Sequence, residues 1–490
     1  MKISDLIPST LLSSPQNTEI YVQGVSDHTE HIAQGDLFIC RPGTRFNPAL
    51  LLPVVAKRGA SAIVIEEGTP HPAVPIPCIQ VKSARMAEAE IWRRLYRMPE
   101  RDMRLIGVTG TNGKTTTAKI LSHILTESEG PCGYLGTLGA SIGKQPLPHL
   151  SLEGVTTPSP AHLYRTLRYM NDNGARTVVM EVSSHALSQM RTLGLSFEYG
   201  LFTNLTEDHL DYHGTMEDYF AAKCILFRQS KHSVINLDDP YGKRLFASLN
   251  TQKTACGIIE NTPYRIEDLY EKEGDCTKYT CITPSVSFAL SYPLFGAFNV
   301  YNTLMAVTTA LLCGACPEQI RRALQTLPPI SGRMELLSLN APFSVIIDYA
   351  HTPDAMAQAI KAARMQTKGR LLVLFGAGGD REKEKRSIMG QIAEENADFC
   401  IVTSDNTRSE SPFAILSDVL AGMHRKEKRQ VISNRRQAIC TALSLLRPAD
   451  TLLLLGKGHE SYLITKEGKE HFSEKEIVEE YVTEHKDLWS

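Results

Sequence analysis

Long apolar segments are missing from this chain. No run approaches the roughly 18–20 residues needed to cross a bilayer, and the N-terminus, MKISDLIPST, lacks the apolar region of a signal peptide. We therefore predict a cytoplasmic protein that does not insert into a membrane.

Neither sign of charge is in excess, because 52 lysines and arginines face 54 aspartates and glutamates, for a net charge of −2. This balance argues against a nucleic-acid partner. Eleven cysteines, an odd number on a long chain, argue against a disulfide framework and favour a reducing compartment. The closest pair, Cys313 and Cys316, follows an alanine-rich helical pattern, and we interpret it as two buried thiols rather than a zinc or redox site.

The length of 490 residues, of which 42% are hydrophobic and 22% charged, suits about three globular domains. Residues 1–104 mix short strand-like runs with polar turns, which predicts a small α/β domain. Residues 105–332 and 333–490 alternate apolar strands with helices, a pattern typical of parallel sheets with helices on both faces. The main strand candidates are Leu105–Thr109, Thr177–Val182, Leu201–Asn204, Ser233–Leu237, Val345–Ile347, Leu371–Phe375, Phe399–Thr403 and Leu452–Leu455.

The most informative motif is Gly107-Val-Thr-Gly-Thr-Asn-Gly-Lys-Thr-Thr116, in which a strand runs into a glycine-rich turn and then a helix. Backbone N–H groups and the helix N-terminus would bind an anion there, Lys114 would reach the outer phosphates and Thr115 would hold Mg²⁺. Val108 stands where the usual phosphate loop has its first glycine. A glycine-rich turn that only packs is the alternative, but strand, loop and helix together favour nucleotide binding.

Further candidate residues follow other strands of the same segment. Glu181 ends an apolar strand, where α/β sheets place their ligands, so it is a candidate metal ligand, the alternative being a surface ion pair. Residues 204–213 hold three carboxylates and two histidines, including His209, a set that suits magnesium. Lys223 lies among apolar residues, which would lower its pKa, yet the residues alone favour an ordinary half-buried lysine.

Four polar loops follow the strand candidates of the third segment, beginning at Asp348, Gly376, Asp405 and Gly456. Because the carboxyl ends of parallel strands share one edge of a sheet, these loops predict a second substrate site. Arg408 could bind a carboxylate through two of its guanidinium nitrogens, and Glu460 could bind an ammonium group.

Seven segments carry a family resemblance from about residue 104 to 480: the phosphate loop, Thr156–Pro158, Met180–Leu187, Phe202–Gly214, Ser331–Glu335, Asp348–Pro353 and Gly456–Glu460. They resemble the Mur ligases, ATP-dependent enzymes that form amide bonds. The resemblance implies three domains: an N-terminal UDP-binding α/β domain, a central P-loop domain with a parallel sheet and a C-terminal Rossmann-like α/β domain. The family's loop also lacks the first glycine, which accounts for Val108.

The branch that the chain resembles most implies a cytoplasmic, monomeric ligase of peptidoglycan precursor synthesis. It would add meso-diaminopimelate to UDP-N-acetylmuramoyl-L-alanyl-D-glutamate through an acyl phosphate made from ATP. The loop Asp405-Asn406-Thr407-Arg408 matches the family's Asp-Asn-Pro-Arg, which accompanies diaminopimelate, except for its proline. A lysine-adding ligase, folylpolyglutamate synthetase and a P-loop ATPase without ligase activity remain alternatives.

Residue roles carried over from the family are implied by the resemblance alone. Lys114, Lys223 and His209 would act in catalysis, with Lys223 carbamylated. The metal-binding group would be Thr115, Glu181, His209 and carbamylated Lys223. ATP would contact Gly110, Thr111, Asn112, Gly113, Lys114, Thr115, Thr116, Asn299, Asn302, Arg333, Asp348 and His351. The UDP-muramoyl dipeptide would contact Thr29, Thr156, Thr157, Ser183, Gln189 and Arg191. Diaminopimelate would contact Asp405, Asn406, Arg408, Gly456 and Glu460.

The N-terminal segment matches the family least. Counting back from Gly35-Asp-Leu-Phe, the family's uridine-binding Asp-Ser-Arg falls on His28-Thr29-Glu30. Thr29 keeps a hydroxyl, but both neighbours have changed.

Overall fold

The computed structural model describes residues 1–43, 46–152, 154–271 and 276–486. Its strands form three main β-sheets, of four, eleven and six strands in chain order, each accompanied by helices. A small two-stranded sheet lies near the C-terminus. The predicted α/β class with parallel sheets is confirmed. Among the described residues, no helix is both long and apolar enough to cross a membrane.

The first sheet is parallel throughout, in the order β1-β2-β3-β4. Its elements are α1 (Ile3–Leu6), β1 (Val25–Ser26), β2 (Leu37–Cys40), α2 (Leu52–Lys57), β3 (Ala62–Glu66), β4 (Cys78–Val81) and α3 (Ala84–Leu95). One apolar cluster runs from Ile3 and Leu37 to Leu105 and Phe197, so this sheet packs its core against the next one.

The second sheet has the order β15-β14-β13-β12-β11-β10-β5-β9-β6-β7-β8, and it is parallel from β13 through β6. Its first half comprises β5 (Arg104–Thr109), α4 (Lys114–Glu129), β6 (Cys132–Gly136), β7 (Gly139–Ile142), β8 (Gln145–Pro146), α5 (Pro160–Asp172), β9 (Thr177–Glu181), α6 (Ser184–Ser188) and β10 (Phe197–Phe202). Its second half comprises α7 (Leu210–His213), α8 (Met216–Arg228), β11 (Ser230–Asn236), α9 (Pro240–Ser248), β12 (Gln252–Gly257), β13 (Tyr264–Glu271), β14 (Thr277–Ile282), β15 (Ser287–Tyr292), α10 (Ala297–Leu312) and α11 (Pro317–Gln325).

The third sheet has the order β16-β17-β21-β18-β19-β20, antiparallel only at β16. Its elements are β16 (Glu335–Leu336), β17 (Ser344–Asp348), α12 (Pro353–Gln366), β18 (Leu371–Phe375), α13 (Glu384–Asn396), β19 (Phe399–Val402), α14 (Pro412–Leu420), β20 (Arg429–Val431), α15 (Arg435–Ser444) and β21 (Thr451–Leu455). The chain ends with the hairpin β22 (Tyr462–Thr465) and β23 (Gly468–His471), followed by α16 (Glu474–Glu484).

The order of the strands determines where the phosphate loop and the Gly456–Glu460 loop lie in their sheets. In the second sheet, β5 lies between β9 and β10, and in the third sheet β21 lies between β17 and β18. At such points successive connections diverge to opposite sides and leave a crevice at the carboxyl ends of the strands. The phosphate loop follows β5, and Gly456–Glu460 follows β21.

Two expectations differ from the structure. The strand expected at Leu201–Asn204 begins earlier, at Phe197, because Phe197 and Leu201 are both buried against the core. All eleven cysteines are free thiols, but the interpretation of Cys313 and Cys316 as two buried thiols is wrong. Cys313 is only partly buried, and Cys316 is exposed because it precedes the first turn of α11.

Candidate active site

The phosphate loop connects β5 to the 16-residue helix α4. Gly110 and Gly113 have φ angles of +150° and +85°. A Cβ atom at either position would collide, with the Thr203 hydroxyl or with the Asn302 amide respectively. Glycine is therefore required at both positions, and the N-terminus of α4, which follows the loop, is a place where an anion binds well.

Two lysines, half-buried Lys114 and fully buried Lys223, meet beside this loop. Lys114 Nζ donates to the carbonyls of Gly110 and Thr111 at 2.9 and 2.8 Å, and Lys223 Nζ donates to the same Gly110 carbonyl at 2.8 Å. Burial lowers the pKa of both ammonium groups, and repulsion by Lys114 lowers the pKa of Lys223 further. Within the described part of the chain neither lysine forms a salt bridge, so an anion bound at the loop could pair with the Lys114 ammonium group.

Glu181 ends β9 beside the phosphate loop, with 1% of its surface exposed. Its Oε1 accepts from the Tyr134 hydroxyl at 2.6 Å and the Thr137 N–H at 2.9 Å, and its Oε2 accepts from the Thr115 hydroxyl at 2.9 Å. The alternative of a surface ion pair is therefore wrong. Tyr134 and Thr137 were missed in the sequence, because nothing in it signals that β6 runs beside β9.

Thr115 and Glu181 together present hydroxyl and carboxylate oxygens, the donors that Mg²⁺ prefers. Among the described residues, no group of three or more His, Cys, Asp or Glu side chains could hold a metal. Mg²⁺ commonly binds one or two carboxylates and takes its other ligands from phosphates and water. The pair therefore fits a magnesium ion completed by a nucleotide.

His209 lies just before α7, with a φ of +56°. Its Nε2 is 3.5 Å from Asp208 Oδ2, and its ring is 4.8 Å from that of His185. Withdrawal from solvent lowers the pKa of His209, with contributions from Lys114 and Lys223, so the imidazole is neutral at pH 7. His209 thus lies in the field of both loop lysines, but it does not join Thr115 and Glu181 in a preformed metal cluster.

A cavity of about 340 Å³ opens from the phosphate loop to the third sheet. Seven of the residues predicted for ATP line it: Asn112, Gly113, Thr116, Asn302, Arg333, Asp348 and His351. Asn299 lies behind them, 1% exposed, and its Oδ1 accepts from Asn302 Nδ2 at 3.1 Å. Asn299 therefore orients Asn302 rather than lining the cavity. Phe298 and Tyr301, both on α10, add an apolar wall that the sequence analysis missed.

Arg333 connects the third sheet to the phosphate loop. Its Nη2 donates to the Thr115 hydroxyl at 3.1 Å, and its guanidinium lies 4.7 Å from the centre of the Tyr349 ring. Asp348 accepts from the Met334 and Ala350 N–H groups at 2.7 and 2.8 Å, and burial raises the pKa of its carboxyl group. The His351 ring is fixed by its Nδ1 contact with the Tyr349 carbonyl at 2.8 Å.

Five residues predicted for the muramoyl dipeptide form one network beside Glu181. The Thr157 hydroxyl donates to the Glu181 carbonyl at 2.9 Å and accepts from the Ser183 N–H at 3.0 Å. Arg191 donates to the Thr157 carbonyl at 2.6 Å and to Gln189 Oε1 at 2.8 Å. The hydroxyls of Thr156 and Thr137 are 3.0 Å apart.

Thr29 is separate from this network among the described contacts. It begins a short 3-10 turn in the N-terminal part of the chain, and its carbonyl accepts from Arg58 at 2.7 Å. The N-terminal part instead places Arg41 near Arg191: after burial, Arg41 is the main cause that lowers the Arg191 pKa. The sequence analysis missed Arg41, since a lone arginine after a strand carries no motif.

A second cavity, of about 150 Å³, is lined by all five residues predicted for diaminopimelate: Asp405, Asn406, Arg408, Gly456 and Glu460. His209 and Asp208 line the opposite side, so this cavity faces the phosphate-loop side of the cleft. Arg408 has a φ of +52°, and its Nη1 donates to the Gly379 carbonyl at 2.6 Å. Arg381, in the polar loop predicted to begin at Gly376, adds a further cation to this cavity, although it was not among the residues predicted to contact diaminopimelate.

Two contacts connect the third-sheet side of the cleft to the phosphate-loop side. Lys385 Nζ is 3.9 Å from Asp208 Oδ1, and Glu382 accepts from the Leu210 N–H at 2.7 Å. Both contacts cross from the start of α13 to the start of α7. An amine bound in the second cavity would therefore approach the phosphate-loop side of the cleft.

Comparison with known proteins gives consistent results. Residues 108–310 match the family model described as the Mur ligase middle domain, and residues 332–458 match the Mur ligase, glutamate ligase domain. A UDP-N-acetylmuramoyl-L-alanyl-D-glutamate--2,6-diaminopimelate ligase of Gloeobacter violaceus is 39% identical over 485 residues, 98% of either chain. The protein of the same name from Clostridioides difficile (strain 630) is 35% identical over 486 residues, 98% of this chain and 99% of that protein.

Solved structures show the same fold. One, of a ligase with that same name, superimposes with a TM-score of 0.67 at 28% identity, covering 99% of both chains. Mycobacterium tuberculosis folylpolyglutamate synthase, complexed with ADP and AMPPCP, gives a TM-score of 0.61 at 16% identity over 76% of this chain and 92% of that chain. The second likeness concerns the fold alone.

Proposed function

The chain belongs to the Mur ligase family, and we propose that it joins meso-diaminopimelate to UDP-N-acetylmuramoyl-L-alanyl-D-glutamate at the expense of ATP. The observation that carries this proposal is the position of the second cavity. This cavity contains Arg408, which can bind a carboxylate, and Glu460, which can bind an ammonium group. It opens toward the phosphate-loop side of the cleft. The full-length relatives with diaminopimelate in their names support the same substrate.

Activation of the acyl group comes first, because a carboxylate is a poor acyl donor at neutral pH. An oxygen of the substrate carboxylate attacks the γ-phosphorus of ATP, and the bond from that phosphorus to the β-phosphate oxygen breaks. The products are ADP, which departs, and an acyl phosphate. Lys114 offsets charge on the transferring phosphoryl group, and Arg333 and Asn302 border the nucleotide cavity. Mg²⁺, held by Thr115 and Glu181, would neutralise further phosphate charge when bound.

Amide formation follows in the same cleft. The neutral amine of diaminopimelate attacks the acyl carbon, phosphate leaves with the electrons of the C–O bond, and the ammonium proton passes to solvent or to a base. His209 lines the second cavity, but a pKa lowered to about 3 makes it a weak base, so the proton would pass to solvent. The residues of the Thr157 network would hold the dipeptide beside Glu181.

Lys223 is proposed to be carbamylated. Its pKa is far below the usual value because of burial and of Lys114, so a neutral amine is available to bond to CO₂ while one proton leaves to water. The modified nitrogen keeps one N–H, which can still donate to the Gly110 carbonyl. The carbamate would also add a negative charge that attracts the nearby Lys114 ammonium group.

The remaining assignments concern the oligomeric state and location of the protein. We also infer that the protein acts as a monomer, as the family resemblance implies, and the proposed reaction uses cytoplasmic precursors of peptidoglycan. No nucleic acid or membrane enters this proposal.

A substrate panel tests the proposal. Phosphate release and product mass would be measured with ATP, the UDP-muramoyl dipeptide and one of diaminopimelate, lysine or ornithine. We expect release that requires both the dipeptide and diaminopimelate. Preference for lysine would identify a lysine-adding ligase, use of a folate substrate would identify a folylpolyglutamate synthetase, and release without either acceptor would identify a P-loop ATPase.

A further inference from the structure

Lys457 is a fully buried lysine between the two loops of the second cavity, with 0% of its surface exposed. Its Nζ donates to Asn406 Oδ1 at 3.1 Å, to Glu460 Oε2 at 2.7 Å and to the Tyr462 carbonyl. An ammonium group has three hydrogens, so all of its donors are used inside the protein. Lys457 does not line the cavity, so its effect on a substrate would pass through its partners.

The first consequence concerns the orientation of the Asn406 amide. Its Oδ1 accepts from Lys457 Nζ and also from the Ile464 N–H at 2.9 Å. Only the oxygen of an amide can accept, so two donors at this position fix which end of the group is oxygen. Asn406 Nδ2 then donates to Glu460 Oε2 at 2.9 Å. The second N–H of this nitrogen is the group that a substrate carboxylate could use.

The second consequence concerns the charge of Glu460. Its Oε2 is shared by Lys457 and Asn406, whereas Oε1 lies 3.4 Å from the Tyr349 hydroxyl. Lys457 therefore offsets the Glu460 charge and, together with Asn406, occupies one of its two oxygens. Without this cation, the cavity would hold an uncompensated carboxylate, which repels a second carboxylate and attracts a bare ammonium group.

We propose that Lys457 is a positioning residue that makes the second cavity prefer an amino acid whose distal end carries both an ammonium and a carboxylate group. It does so by fixing the Asn406 amide and by pairing with Glu460. The inference rests on the proposed function, because it names the feature that would distinguish diaminopimelate from lysine.

The variant Lys457→Met, which keeps the length of the side chain and removes its charge, tests the proposal. We expect kcat/KM for diaminopimelate to fall by roughly 30- to 1,000-fold, mostly through KM, while kcat/KM for lysine changes much less. ATP affinity should stay unchanged. Lys469→Met is the matched control: Lys469 lies 3.9 Å from the centre of the Tyr462 ring, on the outside, and its removal should leave both amino acids unaffected.

A double-mutant cycle with Glu460→Gln keeps the test informative if Lys457→Met fails to fold. The double variant has no unpaired buried charge, and we expect Lys457→Met to cost much less in the Glu460→Gln background than in wild type. Additive losses, or an unchanged diaminopimelate-to-lysine ratio in folded Lys457→Met, would overturn the inference. If the wild type prefers lysine, the proposed function fails, while the same cycle still measures the Lys457–Glu460 coupling on the KM for lysine.

Discussion

The two cavities of the cleft use buried cations in opposite ways. Around the phosphate loop, Lys114 and Lys223 bond to backbone carbonyls and form no salt bridge among the described residues. Around the second cavity, Lys457 pairs with Glu460, and Arg435, 0% exposed in its side chain, pairs with Glu474. Among the described residues, the first region thus leaves these lysines without a carboxylate partner, whereas the second pairs its buried cations with carboxylates and presents Arg408 to the ligand.

This difference explains how each region selects its ligand. A buried, unpaired cation costs folding free energy, which an anionic ligand returns on binding. Paired charges offer no such general attraction, but they fix donors and acceptors in place. Arg435, for example, also donates to the carbonyls of Ser404 and Leu455, the residues before the two selecting loops. Nucleotide binding should therefore depend on charge, and amino-acid choice on hydrogen-bond direction.

The largest effect is expected from Lys223→Ala. Because the variant removes the proposed carbamate rather than core volume, kcat should fall at least about 1,000-fold, with partial rescue by short carboxylic acids. Enzyme in ¹³C-labelled bicarbonate should show a carbamate signal by NMR that the variant lacks. Lys119→Ala, which removes another buried lysine with a pKa lowered to about 8, should keep the signal. Near-normal turnover of Lys223→Ala without CO₂ would contradict the proposal.

The next largest effect is expected at Arg408, in the second cavity. Arg408→Ala should lower kcat/KM for diaminopimelate by roughly 30- to 1,000-fold, since a charge-assisted pair in a partly desolvated site is lost. Lysine lacks the carboxylate, so its use should change much less, and ATP binding should be unaffected. Arg436→Ala, at an exposed arginine paired with Glu480, is the control. An unmoved ratio of diaminopimelate to lysine would remove Arg408 from the selecting loop.

The parts of the site that follow from local chemistry could be predicted from the sequence. Gly110 and Gly113 are needed for the φ angles of the phosphate loop, and Glu181 ends an apolar strand. Such features depend on neighbours in the chain. The three-sheet α/β fold could be predicted for the same reason, since strand and helix periodicities are local. The division at residues 104 and 332 stays a prediction.

The parts that depend on distant partners could not be predicted. Tyr134 is 47 positions from Glu181, and Lys457 is 51 positions from Asn406, so their contacts exist only once the sheets form. Lys223 taken alone favoured an ordinary lysine, because its pKa depends on Lys114 from another helix. The family resemblance supplied its proposed role instead.

A smaller effect is expected at the metal-binding pair. Glu181→Gln should raise the Mg²⁺ concentration for half-maximal activity by about 10-fold or more, since a carboxylate ligand becomes a neutral amide. Thr137→Val should shift it less, because Thr137 only orients that carboxylate through its hydroxyl at 3.0 Å. Activity titrated against Mg²⁺ at saturating ATP decides this, and an identical curve for Glu181→Gln would leave the residue a structural role.

The smallest effect is expected on the free energy of unfolding, at the ion pair between Arg386 and Glu410 beside the second cavity. The hydrogen bond from Arg386 lowers the pKa of Glu410 to about 2, and Arg386 also donates to the Gly378 carbonyl in the loop before Arg381. Because the folded pKa lies below the unfolded one, this stabilisation is complete above about pH 4.5 and is lost as the pH falls toward 2.

Glu410→Gln should therefore lower the free energy of unfolding by ~1–3 kcal/mol at pH 7, and by progressively less below pH 4. Urea titrations at several pH values measure the difference between wild type and variant. Glu217→Gln is the control, because its pair with Arg244 is exposed to solvent and should contribute little to stability. At pH 7, Glu410→Gln should also raise the KM for diaminopimelate more than the KM for ATP, since Arg386, its partner, donates to a loop of the second cavity. An equal response of both substrates would mean that the two regions do not differ in this way.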